Sequence, residues 1–79
     1  MPTLDEINQK YTLIHAEITY DYYTAHKISK EVFDRKHELC WLNHELERLK
    51  LGLVEGITEE AANARIAEIE SRVKTLEGQ

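Results

Sequence analysis

ITYDYYTAHKISKEVF, residues 18–33, is the point at which a long apolar seam either runs on or stops. Leu4, Ile7, Tyr11, Ile14 and Ile18 precede or open it on steps of three and four. Ala25, Ile28, Val32, Leu39, Leu42, Leu46, Leu49 and Leu53 carry the series on, with Asp21 and Arg35 as interruptions. Such spacing keeps one flank of a helix apolar. No proline or glycine between Thr3 and Leu51 forces a stop. Against continuity, TYDYYT at 19–24 is made of poor helix formers, and Ser29 ahead of Lys-Glu-Val offers a fresh N-cap with Ile28 and Phe33 at hydrophobic-staple spacing. The balance predicts helices over 4–26 and 29–51, with one continuous rod as the competing arrangement.

The remaining boundaries are plainer. Thr3-Leu-Asp-Glu6 is a capping box, in which the threonine hydroxyl and the glutamate carboxylate each satisfy an otherwise orphaned backbone amide, so a helix starts at Leu4. LGLVEGIT, residues 51–58, puts glycine where a helix end requires positive φ, and then Thr58 as an N-cap ahead of Glu59 and Glu60. A third helix over 59–77 carries the narrow stripe Ala62, Ile66, Ile69, Val73 and Leu76, whose natural destination is the leucine seam of the helix before it. The expected fold is all-α: an antiparallel helical hairpin or coiled coil whose N-terminal helix either extends the first arm or completes a three-helix bundle. All of 1–79 forms one small domain in this reading.

Composition limits the function classes. With 42% apolar and 32% charged residues in 79, the chain is too apolar to be disordered, and too short to bury a large core unaided. Net charge is −5, and residues 28–52, where Lys30, Arg35, Lys36, Arg48 and Lys50 lie, hold as many acids as bases. Without a basic excess, direct nucleic-acid binding is not expected. No apolar run is long enough to span a bilayer, and the N-terminus has no secretion-signal layout. Together with a single cysteine, which cannot form an internal disulfide, this points to a cytoplasmic protein with no membrane association.

HELCWLNHELERLK, residues 37–50, carries the most chemistry. On a helical wheel, Ile28, Val32, Leu39, Leu42, Leu46, Leu49 and Leu53 gather on one side, and Phe33, His37, Cys40, Trp41, His44 and Leu51 gather roughly 180° away. A helix apolar on two opposed flanks is usually sandwiched. The last helix can cover one flank; the other requires the N-terminal segment, a second copy or a different protein.

His37, Cys40 and His44 share a stripe and are candidate metal ligands in adjacent pairs. All three cannot hold one ion on a straight helix, because His37 and His44 lie about 10 Å apart along its axis at 1.5 Å per residue. The reading adopted is no metal and no cofactor, with the histidines lining a half-buried interface. Cys40 and His44 are spaced for a thiolate–imidazole pair, but no glycine-rich loop or second polar constellation accompanies them, so catalysis is not expected. Glu31/Arg35 and Glu68/Arg72 read as i,i+4 ion pairs on solvated faces.

Tyr20 and Tyr23 point away from the N-terminal seam, with Leu13 on the side of Tyr20; tyrosine is favoured where proteins meet. The expected function is therefore non-enzymatic: a small interaction or assembly protein. It would self-associate as a homodimer or larger oligomer and bind a protein partner through Tyr20, Tyr23, Phe33, His37, Trp41 and His44. The alternative is a small acidic regulator or inhibitor that blocks a larger enzyme or nucleic-acid-binding protein.

Overall fold

The computed structural model describes residues 2–78 and is all-helical: α1 Leu4–Tyr23, α2 Lys30–Lys50 and α3 Glu59–Glu77. The seam stops where the tyrosines and the serine argue that it should. The amides of Thr24 and Ala25 both fall back on the Tyr20 carbonyl, and the Lys27 amide reaches the Asp21 carbonyl at 2.8 Å. His26 then takes a left-handed φ of 53°, which turns the chain, and the Ser29 hydroxyl accepts from the Val32 amide to start α2. Helix α1 thus ends three residues before the predicted 26. Neither glycine nor asparagine marks the turn; its left-handed residue is a histidine, a weaker signal for that conformation.

The other boundaries form as their chemistry dictates. Both bonds of the Thr3–Glu6 capping box are made. Gly52, at φ 69°, terminates α2 in a Schellman arrangement, with its own amide bonded to the Leu49 carbonyl and the Leu53 amide to that of Arg48. Thr58 caps α3 through the Ala61 amide.

Both connections reverse the chain, so α1 and α3 each run antiparallel to α2, and they do so on opposite flanks of it. Among the described residues α1 and α3 do not pack on each other. The outcome is an open layer of 42 × 27 × 18 Å rather than a closed bundle. On one flank Ile7, Tyr11 and Ile18 of α1 bury against Cys40, joined by Ile14, Phe33, Leu51 and Leu53. On the other, Leu49 of α2 and Ile69 and Leu76 of α3 are buried. Ile7 and Ile69, each 1% exposed, anchor the two seams, and burial of such a side chain contributes about 2–3 kcal/mol.

Ion pairs set the register of α3 on α2. Arg65 holds Glu45 through two nitrogens at 2.6 and 2.9 Å, and Arg72 holds Glu38 in the same way at 2.6 and 3.0 Å. The i,i+4 pair expected between Glu68 and Arg72 is not what forms. Arg72 crosses to α2, where the carboxylate lies within reach of its planar fork, and Glu68 takes Arg65 instead.

Candidate functional site: an aromatic and histidine groove

The α1–α2 seam leaves a groove on one face of the layer. Tyr22 stacks on Phe33 with ring centroids 4.6 Å apart, and Tyr23 meets Phe33 edge-on at 5.6 Å. Phe33 leads to His37, His37 to Trp41 and Trp41 to His44, at 5.6, 6.3 and 6.2 Å, each one turn further along α2. From α1, His15 packs 5.0 Å from His37 and 6.4 Å from Trp41, and Tyr11 stacks on His44 at 5.0 Å. The helical repeat produces this row, because positions 33, 37, 41 and 44 fall on one stripe of α2, and 11, 15 and 22 on the facing stripe of α1.

Hydrogen bonds fix the row at its lower end. The Tyr11 hydroxyl donates to Glu47 at 2.7 Å, and Lys10 donates to the same carboxylate oxygen at 3.2 Å. Burial and the neighbouring carboxylate push the Tyr11 phenol far above its usual range, so it remains a donor. The same bond, with Lys10, holds the Glu47 carboxyl below the usual carboxylate range. His44 Nε2 lies 2.7 Å from Asn8 Oδ1, which can only accept, so that nitrogen carries the proton. Burial first, then the Arg48 charge, lower the His44 pKa and favour the neutral ring. The Trp41 indole N–H donates to His37 Nε2 at 3.3 Å.

Between these rings lies an open cleft of about 140 Å³ lined by Tyr11, Thr12, His15, Cys40, Trp41 and His44. Trp41 forms one lip of it and is 56% exposed. The sequence asks for this flank of α2 to be met by the N-terminal segment, a second copy or a different protein. The N-terminal segment brings Tyr11, Thr12 and His15 of α1 to the cleft and leaves the indole open above them. Cys40 forms part of the floor, with its thiol directed at the Tyr11 carbonyl at 3.7 Å. Burial pushes that thiol up, the reverse of what an activated thiolate needs.

Five of the six interface candidates, Tyr23, Phe33, His37, Trp41 and His44, come together in this row. Tyr20 does not join it; it stands 57% exposed on the far side of α1. His37, Cys40 and His44 do not converge, and no group of three or more potential ligands among the described residues is arranged to hold a metal ion. The contributions of Asn8, Thr12 and His15 are absent from the expected site. Their signal is the shared wheel position with Tyr11, legible only once α1 is known to lie on this flank.

No protein-family model matches the chain, and no curated protein or solved structure is detectably similar to it. Among the described residues, no helix is long and apolar enough to cross a membrane.

Proposed function

We propose that this is a non-enzymatic interaction or assembly protein that engages a protein partner through the groove between α1 and α2. One observation carries the reading: a tryptophan more than half exposed at the lip of an apolar cleft, in a row of rings already pinned from below. Trp and Tyr held by packing lose little conformational freedom on association, which is why such residues dominate binding energy at interfaces. The chemistry present favours contact over catalysis, since the thiol is buried, burial favours the neutral form of the histidine beside it, and the Tyr11, Trp41 and His44 polar atoms are engaged by Glu47, His37 and Asn8. In this reading the protein works in copies, the smallest assembly being a homodimer.

The test is affinity capture from extracts of the cells that make the protein, comparing wild type with Trp41→Ala and with Lys74→Ala, which lies on exposed α3. A protein retained by wild type and Lys74→Ala but lost with Trp41→Ala supports the reading; equal capture by all three overturns it.

A second reading, an acidic regulator that blocks a basic site, has its own support. Glu55, Glu59 and Glu60 are exposed at the α2–α3 turn beside an open depression lined by Leu49, Val54, Ile57, Ala62 and Ile66. Rising salt separates the two, because a charge-steered inhibitor loses affinity steeply and an aromatic anchor does not.

A further inference from the structure

The side of α1 that faces away from α2 carries a second apolar feature. Leu13 and Tyr20, two turns apart, are 66% and 57% exposed, and exposed Ala16 lies between them on the same stripe, with Gln9 continuing it towards the N-terminus. Positions 9, 13, 16 and 20 repeat on steps of four, three and four, the spacing of a coiled-coil seam. This seam lies on the opposite flank of α1 from the Ile7, Tyr11, Ile14 and Ile18 seam that packs on α2. It takes no part in the groove.

We propose that this edge of α1 pairs antiparallel with α1 of a second copy, about a two-fold axis between residues 14 and 15. The proposal rests on the functional reading above only for the expectation that copies associate; it names the surface, and that surface excludes Trp41. Two features select this partner and orientation. In this register Leu13 of each copy packs on Ala16 of the other, so that a bulky side chain meets a small one at the closest approach. Tyr20 meets the second copy's Gln9, which has an amide for the phenol hydroxyl.

The flanking charges agree with this register. Lys10 of each copy comes beside Glu17 of the other, giving two symmetric opposite-charge pairs. Glu17 is exposed and makes no ion pair among the described residues, and Lys10, 55% exposed, spends one of its three donors on Glu47. A parallel pairing instead sets Glu6 against Glu6 and Tyr20 against Tyr20. Antiparallel pairing avoids both and opposes the helix dipoles.

Sedimentation equilibrium of the full chain over a wide concentration range tests this, with circular dichroism to confirm that each variant is folded. A concentration-dependent dimer is expected for wild type. Leu13→Glu and, separately, Glu17→Lys should each raise the dissociation constant, by tenfold or more for Leu13→Glu, while Trp41→Ala leaves it unchanged. In a Cys40→Ala background, a mixture of Leu13→Cys and Ala16→Cys chains should cross-link faster on mild oxidation than either chain alone.

A wild type that stays monomeric throughout, or a dimer indifferent to Leu13→Glu, overturns the proposal. A dimer dissolved by Trp41→Ala but not by Leu13→Glu also overturns it, by showing that copies meet through the groove. Each single-cysteine chain cross-linking as fast as the mixture overturns the antiparallel register. Loss of partner capture by Trp41→Ala bears only on the groove, so the two readings fail separately.

Discussion

Tyr11 joins the core to the groove. Its ring is buried in the α1–α2 seam and stacks on His44, while its hydroxyl reaches Glu47. Tyr11→Phe keeps the ring and removes the bond, and should lower stability by about 1 kcal/mol, measured as a shift in urea midpoint with unchanged cooperativity. His44 makes the same region pH-sensitive. Its folded pKa lies below the ordinary histidine value, so the unfolded chain takes up a proton first as pH falls. Stability contributed by the neutral ring is complete above about pH 6.5 and declines as pH drops below that value. Urea midpoints measured between pH 7.5 and 5 should fall on acidification, and His44→Gln, which keeps a donor towards Asn8, should flatten that slope. Cys40 is the third reporter. Because its thiol is buried and its pKa raised, labelling by a maleimide should be slow in the folded protein and fast in denaturant.

At the scale of the helices, the two reversals differ in kind. Gly52 occupies its left-handed conformation without steric cost, so Gly52→Ala should destabilise by about 1 kcal/mol even though no atom crowds the added methyl. His26 pays a steric penalty for the same conformation, and His26→Gly should raise stability by about 0.5–1 kcal/mol. Thermal melts of the two variants, expected to move in opposite directions, check both. The contrast also explains what the sequence made legible. Helix starts at Thr3, Ser29 and Thr58 and the stop at Gly52 follow from local hydrogen bonding, which is encoded within four residues. The break between α1 and α2 was legible in the tyrosine-rich stretch and the Ser29 cap, whereas the placing of the left-handed residue at His26 was not. The α2 half of the groove was readable from its wheel, whereas the α1 half depended on which flank α1 would choose. The same holds for Arg72, whose crossing to Glu38 no local pairing rule anticipates.

For the molecule as a whole, acid should act twice. Below the histidine range, Glu45 and Glu47, whose carboxyls are held down chiefly by their bonds to Arg65 and to Tyr11, bring a second loss as pH falls below about 4.5 and they protonate. A urea-midpoint profile extended to pH 3 should therefore show two descending segments, with the lower one reduced in Glu45→Gln. The architecture behind this is a layer with α2 at its centre and one helix on each flank. Since among the described residues each packed pair of helices joins neighbours along the chain, assembly needs only two short loops to close, and refolding in microseconds to milliseconds is expected by stopped flow or temperature jump. Each outer helix can also peel from the middle one without disturbing the other. Amide protons on either side should then exchange at rates set by their own hairpin, which makes the molecule a hinged triptych rather than a block.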